Sequence, residues 1–194
     1  MLKTPFKITV RSNNFHFIKE LLPDLALLAD FAEEYIYSDP SSSLVKLRSF
    51  TENAVKKIYD ELGLNDLEND TLMELMRNED FVQSLSSELI SKLHSLRING
   101  NKAAHGQKIP TQTAQWLLRE AHDISKWLYL SFCDGDLSKI PNFELPEETS
   151  VDMLEEQLAQ KEIEVQKLLK QVEDNRKDDI QLRRDKQYYR DIKS

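Results

Sequence analysis

Apolar residues recur at steps of three and four through most of the chain, the spacing of one face of an α-helix. Phe15, Ile18, Leu21, Leu22, Leu25, Leu28, Ala29, Ala32 and Ile36 begin the pattern, and Pro23 either opens a second helix within it or kinks one. Ser38-Asp39-Pro40 supplies a capping side chain and then a proline, which costs nothing in a first turn, so a helix is expected from about Pro40 to Leu62. Its stripe is Leu44, Leu47, Phe50 or Thr51, Ala54, Ile58 and Leu62, and Gly63 is placed to end it in a left-handed conformation. A short helix follows around Thr71 to Met76. A longer one is expected over about Phe81 to Ile98, where Leu85, Leu89, Leu93 and Leu96 form a stripe that Ile90 widens and Gly100 supplies the stop. Pro110 and Thr111 open another helix to about Phe132, which has Ala114, Leu117, Leu118, Ala121, Ile124, Trp127, Leu128 and Leu130 to bury and Gly135 just beyond it. All four glycines then mark helix ends.

The two ends of the chain have a different texture. Residues 1–14 form an arm in which Lys7 to Arg11 alternates weakly, as an edge strand does, and residues 136–150 carry Pro141, Pro146 and several acids, the composition of a linker. From Val151 a heptad appears: Val151, Leu158, Val165 and Val172 repeat every seventh residue, with Leu154, Leu168 and Leu182 at the complementary position and Lys161, Asn175 and Asp179 interrupting. This last stretch holds 11 acids and 10 bases, so as a helix it needs a partner or a neighbouring surface, and self-association through 151–194 is one expectation. The fold class expected is all-α: an up-and-down helical bundle over 15–135 followed by a charged coiled-coil helix over 151–194.

Composition narrows the function. The 194 residues are 40% hydrophobic, enough for a core, and with only four Gly and six Pro they favour helices over sheets. Cys133 is the one cysteine, which excludes an internal disulfide and a cysteine-based metal site and suits a reducing compartment. No uncharged apolar run approaches the roughly 18 residues of a membrane span, so a soluble cytoplasmic protein is expected. Net charge is 26 − 34 = −8, which argues against indiscriminate nucleic-acid binding by the whole surface. Its distribution is uneven, because Leu89 to Arg119 contains no Asp or Glu yet holds Lys92, Arg97, Lys102, Lys108 and Arg119.

Inside that acid-free segment lies Arg97-Ile-Asn-Gly-Asn-Lys-Ala-Ala-His105. It can be helix punctuation, with Gly100 as left-handed terminator, Asn101 as the next N-cap, and Ala103 and Ala104 small enough for close helix approach. It can also be a phosphate-binding or RNA-cleaving pair, since Arg97 would neutralise a phosphate and His105 would shuttle a proton. The candidate nucleic-acid or partner contacts are Lys92, Arg97, Asn101, Lys102, His105 and Lys108. No catalytic residue is assigned beyond that Arg97–His105 alternative. His16, His94 and His122 fit partly buried helix positions, and no His-x-x-x-His or Glu-x-x-His spacing builds a metal site. Trp116, Trp127 and Tyr129 fit core or groove packing better than base stacking. Walker, Gly-x-Gly-x-x-Gly and nucleophile-elbow motifs are all missing, which excludes energy-coupled chemistry within these residues.

Three stretches together carry a family resemblance: Phe15-His-Phe-Ile-Lys, then Tyr35-Ile-Tyr-Ser-Asp-Pro-Ser-Ser-Ser-Leu-Val-Lys-Leu-Arg-Ser-Phe-Thr-Glu, then Leu93-His-Ser-Leu-Arg-Ile-Asn-Gly-Asn-Lys-Ala-Ala-His105. Over about residues 15–133 the chain resembles the DUF4145-type helical N-terminal domain of the motor (restriction) subunit of type I restriction enzymes and of related helicase-like defence proteins. The resemblance implies a non-catalytic module that docks the methylase and specificity subunits, contacts DNA, or does both, in restriction of foreign DNA. In that family a charged coil, a PD-(D/E)xK nuclease domain and two helicase domains follow. The sequence stops in the coil at Ser194, so ATP and magnesium are expected only of such downstream domains and no cofactor is expected in this chain. The bundle also looks distantly like HEPN domains, some of which cut RNA through Arg-x4-6-His; seven residues separate Arg97 from His105 here, a departure from that motif.

Overall fold

Asp39 fixes where the longest helix begins. Its carboxylate accepts from the Ser42 amide at 3.0 Å and from the Ser42 hydroxyl at 2.5 Å, and Pro40 takes the first helical position. In the computed structural model, which describes residues 10–64, 71–148 and 158–177, that start opens α2 (Pro40–Leu62), and Gly63 closes it at φ 63°. Ahead of it, a single 3-10 turn at His16–Ile18 tucks Phe15, Phe17 and Ile18 inside, and Pro23 opens α1 (Pro23–Glu34) rather than kinking a longer helix. After it come α3 (Leu72–Leu75), held by a reciprocal Thr71–Glu74 capping box, and α4 (Glu79–Ser84), capped by Asn78. Two long helices follow, α5 (Ser87–Ala104) and α6 (Thr111–Phe132).

The result is an all-α bundle in which α2 packs against α1, α5 and α6, and α6 also touches α1 and α5. Leu44, Leu47, Phe50, Ala54, Val55 and Ile58 of α2 are fully buried, as are Leu93 and Leu96 of α5 and Leu117, Leu118, Ala121, Ile124 and Leu128 of α6. Tyr59, late in α2, donates its hydroxyl to the Leu75 carbonyl and stacks on Phe81 at 5.3 Å, just ahead of α5. Gly100, late in α5, lies against Leu44 and Arg48, early in α2. The two helices therefore run antiparallel. No described helix is long and apolar enough to cross a membrane.

Helix α5 departs from the expected element at both ends. The apolar spacing joins Leu85 to Leu89, yet Leu85 is extended (φ −121°, ψ 154°), and the Ser86 hydroxyl accepts the Leu89 amide at 3.2 Å to start a new helix. At the other end Gly100 does not stop the helix. It is buried in mid-helix, where an added Cβ would fall 2.5 Å from the Arg48 Cβ and 2.9 Å from the Leu44 carbonyl oxygen. The left-handed position after α5 belongs to Gly106 (φ 78°), and Asn101 is an interior helical residue, not an N-cap. Beyond α6 the left-handed residue is Asp134 (φ 49°), while Gly135 leaves room for the Tyr129 ring.

Residues 136–146, whose composition suggested a linker, lie along the bundle, and the compact unit extends to Pro146. The Asn14 side chain donates to the Glu144 carbonyl at 2.8 Å and accepts the Glu144 amide at 2.9 Å; the Tyr37 hydroxyl donates to the Pro146 carbonyl at 2.7 Å. The described end of the arm is anchored too. Arg11 and Ser12 donate backbone amides to Asp30, and the Ser12 hydroxyl donates to Glu33 at 2.6 Å. Residues Lys7 to Thr9 of the weak alternation lie outside the described residues, and Val10 and Arg11 are not in a strand.

His122 sits beneath this strap with Phe15, Phe17 and Phe143 at 5.9, 5.7 and 5.5 Å. Burial pushes its pKa down; Lys126 and Arg119 push the same way, against Asp123 and a hydrogen bond with the Pro141 backbone. The folded protein thus holds a neutral imidazole whose Nε2 is buried without a hydrogen-bond partner. The second unit, from Glu147, contains a helix over 158–177, here α7, in which every residue is exposed. Val151, Leu154, Asp179 and Leu182 of the expected heptad lie outside the described residues.

Two outcomes follow from this packing. Gly100→Val is expected to destabilise the full chain by about 2 kcal/mol through overpacking against α2, and an unchanged urea midpoint would contradict that close approach. For His122, the unfolded chain takes up a proton near the usual 6.5 while the folded chain does not, so stability should fall as pH drops below that value. Glu33 acts in the opposite sense, because burial raises its pKa and the folded state then binds the proton first. Comparing urea midpoints at about pH 7.5 and about pH 5.5 for wild type and His122→Gln isolates the histidine, and equal pH slopes would rule out its contribution.

Candidate contact surface at the end of helix α5

Helical geometry sorts the candidate residues around α5. At about 100° per residue, Lys92 and Arg97 point roughly 140° apart, on opposite flanks of the buried stripe formed by Leu89, Leu93, Leu96, Gly100 and Ala103. Lys92 takes the flank facing α6. Arg97 and Asn101 take the other, toward α2; Lys102 and His105 point outward, and Lys108 lies in the exposed turn before α6. The six residues are spread around and along α5 and the turn after it, from Lys92 in its second turn to Lys108 beyond its end.

Lys92 is committed internally. Its ammonium donates to Glu120 at 2.5 Å and to Asp123 at 2.8 Å, with Glu88 at 3.7 Å, and its side chain is only 16% exposed. Burial opposes the charge, but the Asp123 and Glu120 carboxylates outweigh it and hold the lysine pKa above its usual range. Arg119 is also engaged, with its guanidinium 4.9 Å over the Phe143 ring. Of the five cations in the acid-free segment, Arg97, Lys102 and Lys108 have neither an ion pair nor a cation–π contact among the described residues.

Arg97 is half-buried, and its Nε has no hydrogen-bond partner. Across the seam, the Nε of Arg48 shares that condition while its terminal nitrogen pairs with Glu52 at 3.0 Å. His94, one turn before Arg97, has its pKa lowered, by burial first and then by the charges of Arg97 and Arg77. Arg97 and His105 are about 12 Å apart along the helix axis. No hydrogen bond links them among the described residues. Lys102 has a local role as well, since a cation in the last turn is favoured by the helix dipole.

Several other features were not apparent from the pattern. Trp116 is 46% exposed, and with Glu120 and Asp123 it forms an i, i+4, i+7 stripe on the flank of α6 that faces Lys92. Trp127, by contrast, packs edge-on against Phe132, and Tyr129 is buried. His16 is exposed rather than partly buried. Burial pushes the Cys133 thiol up, which disfavours a reactive thiolate. Among the described residues no cluster of His, Cys, Asp or Glu could hold a metal ion. A shallow cleft of about 300 Å³ between the start of α1 and α2, lined by Leu21, Asn53, Lys56 and Asp60 among others, lies away from these cations.

Over 138 residues, 71% of its length, the chain is 28% identical to the type I restriction enzyme EcoKI endonuclease subunit of Escherichia coli strain K12. It spans 12% of the length of that relative. No family model and no solved structure matches the chain.

Removing the Lys92 ammonium should leave two neighbouring carboxylates uncompensated. Lys92→Met is expected to cost about 2 kcal/mol, less than the full penalty of a deeply buried pair because Asp123 is 45% exposed. Urea titration checks it, and a variant as stable as wild type would show the triad to be dispensable.

Proposed function

We propose that this chain is a non-catalytic N-terminal interaction module of a cytoplasmic protein resembling the endonuclease subunit of type I restriction enzymes, and that it serves restriction of foreign DNA by contacting the DNA backbone. The supporting observation is the coincidence of that sequence similarity with three cations, Arg97, Lys102 and Lys108, that have no ion pair among the described residues at the end of α5. Phosphate contacts need charge but no cleft, which suits a convex helix end. ATP, magnesium and nuclease chemistry would belong to other parts of such a protein. Docking to methylase and specificity subunits is the companion role, served by the same bundle.

Fluorescence anisotropy of the full chain with duplex DNA tests the contact. Binding is expected at low salt, with Lys102→Ala/Lys108→Ala weakening it for all sequences and reducing the slope of log affinity against log salt by about two. Lys92→Met should leave that slope unchanged. No binding at low salt would remove the DNA contact, and failure to capture either methylase or specificity subunits in a pull-down would remove the docking role.

A further inference from the structure

Every seam position of α7 is in solvent. Leu158, Val165, Leu168 and Val172 are 62%, 52%, 54% and 64% exposed, and Leu169 beside them is 58% exposed. The ion pairs within the helix, Lys161–Glu164 at 2.8 Å and Lys177 with Glu173 and Asp174 at 3.8 Å, are solvated and add little. A helix of this length with no packed face is marginal alone in water. Something must cover its apolar stripe, and the order of charges beside that stripe selects the cover.

We propose that α7 pairs antiparallel with α7 of a second copy of this chain. Leu158, Val165 and Val172 hold heptad position a; Lys161, Leu168 and Asn175 hold position d. Position e reads Glu162, Leu169, Arg176: an acid, an apolar residue and a base, symmetric about Leu169. In an antiparallel pair a faces d and e faces e. Setting Leu169 on Leu169 of the second copy brings Glu162 to Arg176 twice, and packs Val172 on Leu168 twice.

A parallel pair is disfavoured by the same residues. It sets d on d, burying Lys161 against a second Lys161, and it turns Glu162 and Arg176 toward Gln157 and Gln171, leaving both charges uncompensated.

Sedimentation of the full chain at micromolar concentrations should show a dimer. Glu162→Arg alone or Arg176→Glu alone turns two attractions into two repulsions and should weaken the dimer roughly tenfold, while the double variant E162R/R176E restores it. Orientation is read by disulfides in a Cys133→Ser background: mixing Val172→Cys with Leu168→Cys chains should give the mixed disulfide. A monomeric wild type, a dimer indifferent to the single reversals, or cross-linking of Val172→Cys mainly to itself would each overturn the proposal, the last in favour of a parallel pair.

Discussion

The bundle depends on how closely α5 approaches α2. At Gly100 the two backbones come near enough that a single added carbon would meet the Arg48 Cβ and the Leu44 carbonyl. Because the chain enters α5 beside the far end of α2, through Tyr59, Leu75 and Phe81, this one close crossing sets the antiparallel run of both helices. It also settles what α5 can show to solvent. With Gly100, Leu96 and Leu93 turned inward, Arg97 and Asn101 fall on the edge toward α2 and Lys92 falls on the edge toward α6. The distribution of charge on the outside is a consequence of a missing side chain on the inside.

That distribution differs from the one the linear sequence suggests. Leu89 to Arg119 is free of acids as a stretch of chain, but helices pair across sequence distance. Lys92 meets Glu120 and Asp123, 28 and 31 residues further on, just past the end of the acid-free run. Arg119 is spent on Phe143 in the strap, a segment whose prolines and acids had the composition of a linker. Of the five cations, Lys92 and Arg119 therefore make contacts within the bundle, and the other three have none among the described residues. A charge run becomes a binding surface only after its internal uses are subtracted.

Much of the fold was legible because its signals are local. Asp39-Pro40 starts α2, Gly63 ends it and the Thr71–Glu74 box builds α3, each through contacts within a few residues. Gly100 was misplaced as a terminator because a glycine in sequence has two uses, a left-handed turn and a close approach, and only the distant partner tells them apart. The break before α5 was hidden for a related reason. Leu85 keeps its place in the apolar stripe while its backbone is extended, so hydrophobic spacing runs straight across a Ser86 cap. For the candidate residues of α5, position along the chain was legible and direction was not, since Lys92 and Arg97 are five residues apart yet face opposite flanks.

The two units draw their order from different sources. The bundle is stabilised by its own core, so the exposed end of α5 is formed in a single chain at any concentration. Helix α7 has no buried residue among 158–177 and carries its complement in its own charge order, so its pairing follows mass action and strengthens with concentration. This matters for a surface with only three uncommitted cations on a chain of net charge −8, which on its own would hold a phosphate backbone weakly. Two copies joined through α7 would offer two such surfaces, and the second contact would then form at a high effective concentration set by the tether rather than by the bulk. Self-association would thereby raise DNA affinity without adding a new contact, and a weak, nonspecific helix end would act only where the protein has already accumulated.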